Sequence, residues 1–166
     1  MRILLISLFL FASATSAPAS AASVDEVLRL DVIAPFTVAK ASDLQFGQLT
    51  VTGKGRVDID PVTKTRTTYG GVTPAGGSYG VASFTTRGDP GGRVRIRLPE
   101  RKIDLIREGG GETMTLRRLR TNLNAGRQRL DADGYLTFHV GGTVDLKSGA
   151  ANGRYEGSFN VEVSYE

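Results

Sequence analysis

The sequence predicts an all-β fold: one domain built as a two-sheet β-sandwich. Three observations carry this. Segment after segment alternates apolar and polar residues with the period of two that a half-buried strand requires. Twenty-one glycines, several of them clustered, punctuate those segments. No segment joins a helical period to helix caps, and Ile103 to Arg107 is too short to count as one. Many short strands without helices bury their apolar faces by packing sheet on sheet.

The N-terminus comes first. Met1 and Arg2 lead into the apolar run ILLISLFLFA, followed by the small-residue tract SATSAPASAAS. A basic start, a short apolar core and small residues for cleavage form the pattern of a secretory signal peptide over residues 1–21, with Ala19-Ser20-Ala21 the best cleavage site. The run is too short to span a bilayer as a helix. Residues 22–166, about 145 in all, are enough for a single domain that buries roughly 70% of its unfolded-chain surface. The expected location is therefore the periplasm, the cell surface or the extracellular space, with no transmembrane segment. Cysteine is absent, which excludes disulfides, thiol chemistry and cysteine metal sites. There is no tryptophan and a single histidine, which thins the catalytic repertoire further.

The strands follow in order. Leu28, Leu30, Val32, Ala34, Phe36 and Val38 alternate in LRLDVIAPFTV, interrupted by Pro35. Gly53 to Gly55 reads as a tight turn. GRVDID and TKTRTTYG flank the turn-forming Asp60-Pro61. SYGVASFTTR ends in the loop GDPGG. RVRIRLP places Val94, Ile96 and Leu98 inward and Arg93, Arg95 and Arg97 outward. TMTLRRL follows Gly109 to Gly111. In GYLTFHVGGTVDL the residues Leu136, Phe138, Val140, Val144 and Leu146 keep one parity across Gly141-Gly142. That pair reads as a point inside a strand where another backbone or a bulky side chain approaches closely, not as a turn. Finally, Tyr155, Phe159, Val161, Val163 and Tyr165 alternate with Arg154, Glu156, Ser158, Asn160, Glu162, Ser164 and Glu166, the pattern of one long C-terminal strand.

Charge is unevenly distributed. Arg93 to Arg129 holds eleven Lys or Arg against Glu100, Asp104, Glu108 and Glu112, a net of +7. The rest of residues 22–166 holds nine basic and thirteen acidic residues, a net of −4. Arg93, Arg95, Arg97, Arg117, Arg118 and Arg120 form the candidate anion-binding face, suited to acidic polysaccharide or lipopolysaccharide phosphates. No aromatics interleave with them, so nucleic-acid bases have nothing to stack on and no nucleic-acid partner is expected.

Enzymatic chemistry finds little support. His139 lies between Phe138 and Val140, facing away from the apolar side, with no acid–base partners at neighbouring positions. Without a second His or a Cys, a zinc site or a conventional triad is hard to assemble. No carboxylate pair is singled out by spacing. DADG (Asp131 to Gly134) starts like a calcium loop but lacks the later glycine and glutamate, so an Asx turn is expected. Gly53 to Gly55 precedes no helix and fails as a phosphate loop. Arg87-Gly88-Asp89 is too short a motif to carry an adhesive function. The expectation is a non-enzyme with no cofactor and no metal.

Four separated stretches carry a family resemblance: Ala34 to Leu49, Met114 to Leu119, Asp133 to Leu146 and Gly153 to Glu166. Together they resemble the bacterial exported domain-of-unknown-function family forty-four-zero-two, in its Asp-Leu-x-Phe-Gly, Val-Gly-Gly and terminal Gly-x-Tyr…Tyr segments. The resemblance implies an immunoglobulin-like sandwich similar to pilin-like and adhesin-like proteins. It implies no activity. The end of the chain also resembles pilin subunits, with Tyr165 penultimate and Gly153 fourteenth from the end. In such subunits a neighbour's N-terminal arm completes an unfinished sheet by strand addition. The pilin-typical disulfide is missing here.

That resemblance implies a surface-structure or adhesion subunit, with related subunits and an assembly chaperone as its partners. Residues 22–34 would be the donor arm, presenting Val24, Leu28, Leu30 and Val32, with Pro35 as its boundary. The acceptor edge would be Gly153, Tyr155, Phe159, Val161, Val163 and Tyr165. Two alternatives stand beside it. Residues 27 to 38 form the first strand of a self-complete sandwich, or the protein is a monomeric module binding acidic glycan through its arginines.

Overall fold

The computed structural model describes residues 36–166. Among them every regular element is a strand, and no helix occurs. In chain order these are β1 (Thr37–Ser42), β2 (Gln48–Ile59), β3 (Arg66–Gly76), β4 (Ala82–Arg87), β5 (Arg93–Arg97), β6 (Ile103–Arg107), β7 (Thr113–Thr121), β8 (Arg127–Arg129), β9 (Tyr135–Leu146), β10 (Tyr155–Glu156) and β11 (Glu162–Tyr165). The all-β expectation holds. The ladders form an eight-stranded sheet, β1-β4-β9-β7-β6-β10 with β2 and β3 attached, and a three-stranded sheet, β11-β5-β8.

β9 organises the larger, curled sheet. Its first half pairs with β4, from Tyr135↔Arg87 to Val140↔Ala82. Its second half pairs on the same edge with β2, from Gly142↔Ile59 to Leu146↔Gly55. β7 runs along its other edge. The change of partner falls at Gly141-Gly142. A Cβ on Gly141 would sit 2.8 Å from Pro61 Cδ and 2.9 Å from Pro61 N, and nearer still to the Ile59 carbonyl oxygen. One on Gly142 would sit 2.8 Å from the Arg118 carbonyl oxygen. The close approach expected here is thus intramolecular: β2 presses on one glycine and β7 on the next.

Two buried clusters result. Val57, Val72, Leu116, Val144 and Leu146 gather on one face of the large sheet. Ala82, Phe84, Phe138 and Val140 form the second cluster, against which Ile96, Phe159, Val161 and Val163 pack from the side of the small sheet. Phe84 and Phe138 stack with ring centroids 5.3 Å apart. Each fully buried Val, Ile or Phe contributes roughly 1.5–3 kcal/mol of transfer free energy, so these clusters hold the fold where no disulfide does.

The turns follow their sequence chemistry. The Asp60 carboxylate accepts backbone N–H bonds from Val62 (2.7 Å) and Thr63 (3.0 Å), closing the β2–β3 hairpin. Asp131 does the same for Asp133 (3.0 Å) and Tyr135 (2.7 Å), the Asx turn expected of DADG.

Three expectations need correction. Gly53 to Gly55 is not a turn: it lies inside β2, at a bulge where the register jumps from Val51↔Val72 to Gly55↔Gly70. Glycine is used there because β2 and β3 nearly touch; a Cβ on Gly71 would lie 2.6 Å from the Gly53 Cα. Ile103 to Arg107, left without an element above, is β6, paired to β7. The strand expected over 27–38 lies mostly outside the described residues; its last two positions, Thr37 and Val38, are in β1. The third correction concerns the C-terminal segment, which is two strands in two sheets. β10 pairs with β6 and β11 pairs with β5, with no ladder between. Gly157 permits the departure, since a Cβ there would lie 2.9 Å from the Asp104 carbonyl oxygen and 2.8 Å from Leu105 Cδ2.

Candidate assembly edge and arginine faces

β1 and β11 each have one sheet neighbour among the described residues, β4 and β5 respectively. They meet at one corner. Phe36, just before β1, packs edge-on against Tyr165 at the end of β11, with ring centroids 4.9 Å apart. The Tyr165 hydroxyl accepts a hydrogen bond from the Asp89 backbone N–H. Its ring is seated on glycines: a Cβ on Gly88 would stand 2.8 Å from Tyr165 Cζ, and one on Gly92 would stand 2.9 Å from Cε1. The GDPGG loop therefore does more than turn the chain; it makes room for this ring. From that corner β1 leads away and β11 leads in.

Behind β11, Phe159, Val161 and Val163 turn toward the second core cluster but remain only half-buried. Phe159 meets Phe84 edge-on at 6.4 Å between centroids. The facing residues of the large sheet, Phe138 and Val140, are fully buried. The cluster is thus closed on the large-sheet side and open on the other. Of the residues expected on one acceptor strand, Val163 and Tyr165 lie in β11, and Phe159 and Val161 immediately precede it. Gly153 and Tyr155 do not belong there. Tyr155 pairs with Arg107 in the large sheet, its hydroxyl donates to the Ala151 carbonyl at 2.8 Å, and Gly153 lies against the Arg107 side chain. Val24, Leu28, Leu30 and Val32 lie outside the described residues, as does the expected signal peptide.

The six arginines expected to form one face divide between two sheets. Arg117, Arg118 and Arg120 are on β7 of the large sheet. Arg120 grips both carboxylate oxygens of Asp58 (2.8 and 2.7 Å), which also accepts from the Thr143 hydroxyl. Arg117 pairs with Asp145. Arg93, Arg95 and Arg97 are on β5 of the small sheet, where Arg127 and Arg129 of β8 join them in register. Alternation alone had no means to show that second pairing.

The strands just described are spanned almost completely by one family model, Domain of unknown function (DUF4402), which matches residues 36–165. The chain belongs to the DUF4402 family. The comparison with curated proteins returns no match, and the comparison with solved structures returns none either.

In this DUF4402 chain His139 is half-buried on β9, and its backbone N–H donates to Asn122 Oδ1 at 2.7 Å. Its ring Nδ1 is enclosed without a hydrogen-bond partner among the described residues. Burial, helped by the nearby Lys64 charge, holds the ring below its ordinary pKa of 6.5. The unfolded chain therefore binds more protons than the folded one between the depressed value and 6.5. Stability from this group is complete above pH 6.5 and is lost as pH falls through the folded value. The melting temperature is expected to drop as pH is lowered from about 7.5 to about 5, and His139→Gln should remove part of that slope. A pH series of thermal melts on both proteins checks it, and parallel slopes would contradict it. Among the described residues no three His, Cys, Asp or Glu side chains converge as a metal site, and no helix is long and apolar enough to cross a membrane.

Proposed function

We propose that this protein is an exported, non-enzymatic subunit of a surface structure, an immunoglobulin-like sandwich that polymerises by donor-strand exchange. The observation that carries the reading is strand order. In the constant-type immunoglobulin sandwich, strands A, B, E and D share one sheet, and C, F and G share the other. The order β1-β4-β9-β7 parallels A-B-E-D and the pair β5-β11 parallels C-F, which supports the reading; β2, β3, β6, β8 and β10 are additional to that scheme. The six matched strands also follow one another along the chain in the order A to F. No described strand stands in the G place beside β11, and the half-buried Phe159, Val161 and Val163 face the core next to it.

Residues 22–34 of another copy are the proposed occupant. Val24, Leu28, Leu30 and Val32 share one parity, as residues of an inserted strand must. Burying the four would stabilise assembly by roughly 6–12 kcal/mol gross at ~1.5–3 each, before the cost of ordering the arm. Exposed ion pairs contribute about 0–1 kcal/mol each, so strand insertion dominates the energetics.

The test is gel electrophoresis in SDS of surface extract, unheated and heated, probed with antibody to this protein. The expected result is a ladder of multimers that collapses to one band on heating and disappears when residues 22–34 are deleted. A single monomer band in both lanes, from protein shown to be folded, would sink the proposal.

A further inference from the structure

The outer face of the β11-β5-β8 sheet carries an unusual juxtaposition. Val94 is fully buried, so Arg93, Arg95 and Arg97 alternate outward along β5. Across the β5–β8 ladder, Arg93 lies directly opposite Arg129, and Arg95 directly opposite Arg127. Like charges opposite one another destabilise a ladder unless something of the other sign bridges them. One pair has its bridge within the chain. The Glu166 carboxylate sits 2.6 Å from Arg95 Nε and accepts from Arg127 Nε as well. Arg97 takes Glu162 at 3.6 Å. The Arg93/Arg129 pair has no ion-pair partner among the described residues. Five arginines against two glutamates leave the face at 5 − 2 = +3.

We infer that this face binds a carboxylate-bearing acidic polysaccharide, with one uronate carboxylate held between Arg93 and Arg129. The molecule shows the chemistry itself: on the neighbouring rung, about 7 Å along the strand, a carboxylate already occupies the equivalent place. Arginine's planar fork suits that group. Arg97, Arg127 and the exposed ends of the ladder supply attraction along the rest of an extended chain. Glu162 and Ser164 of β11, with Glu166 just after it, share this outer face with the arginines; without an aromatic among them, base stacking has no platform. The site is separate from the proposed strand groove, and its fate does not depend on polymerisation.

The experiment is binding of the full chain to immobilised polygalacturonate across about 50 to about 200 mM salt, with dextran and single-stranded DNA as comparison surfaces. Arg93→Gln with Arg129→Gln is expected to weaken polygalacturonate binding about three- to tenfold and flatten its salt dependence. Arg118→Gln, on the other sheet, should leave binding unchanged. Because the double substitution removes a repulsion, its melting temperature should equal or exceed the parent's. Unchanged affinity in the double variant overturns the inference, as does equal weakening by Arg118→Gln. A lowered melting temperature would mean that the pair is already satisfied within the chain, and single-stranded DNA bound as tightly with the same loss would mean indiscriminate attraction to polyanions. Either of those results also rejects the assignment.

Discussion

Gly141→Val is expected to destabilise the protein by at least about 3 kcal/mol, a large share of the roughly 5–15 kcal/mol that holds a domain of this size together. The first Cβ atom alone would stand 2.8 Å from Pro61 Cδ and 2.9 Å from Pro61 N. What it meets is mostly the main chain around Ile59 and Pro61, which cannot swing aside as a flexible side chain would. Moving it would dislocate the point where β9 exchanges β4 for β2, and with it the ladders on both sides. Urea unfolding of parent and variant measures the loss. Gly80→Ala is the matched comparison: nothing lies within 4 Å of a Cβ there, so it should be neutral or stabilising by up to about 1 kcal/mol. If Gly141→Val kept the parent's midpoint, the crossing would have to be far looser than its geometry.

Phe138→Ala is expected to cost about 3–5 kcal/mol. The ring is fully buried, stacks on Phe84 and belongs to the cluster that joins the large sheet to the small one. Truncation leaves a cavity bordered by a sheet of only three short strands, so the loss should not stay local. Amide exchange in β5 and β11 is expected to accelerate more than in β2 and β3, which rest on the other cluster. Uniform acceleration would show instead that the two clusters melt as one.

How much of this was legible in the sequence depends on what alternation can encode. Period two reports which side chains are buried, and it located β4, β5, β7 and β9. Local side-chain chemistry located the Asp60 and Asp131 turns. Inserted glycines keeping parity exposed the crossing at Gly141-Gly142. Parity does not report which neighbour supplies the hydrogen bonds. Residues Arg154 to Glu166 therefore read as one strand, although the chain leaves β6 at Gly157 and joins β5 only at Glu162. For the same reason the arginines of β5 and β7 looked like one face, and the pairing of Arg93 with Arg129 was invisible. Gly53 to Gly55 misled in the opposite direction. Glycine signals both turns and tight strand contacts, and here the contact was with a hairpin partner still to come in the sequence.

The partner change along β9 also bears on how the protein is made. β2, β4 and β7 all line up on a strand that ends at Leu146, so the sheet lacks its central member until most of the polypeptide exists. Gly55 and the residue it finally faces, Leu146, are 146 − 55 = 91 positions apart. At about 5–20 residues per second, the ribosome takes roughly 5–20 s to cover that interval. Until β9 is made, Val57, Ile59 and Phe84 have no central strand to pack on. Pairings this distant are also slow to close once the chain is complete. A nascent chain of this design spends its early life with sticky hairpins and no spine. That is the interval in which a holding factor has most to grip, and in which self-association is the main hazard.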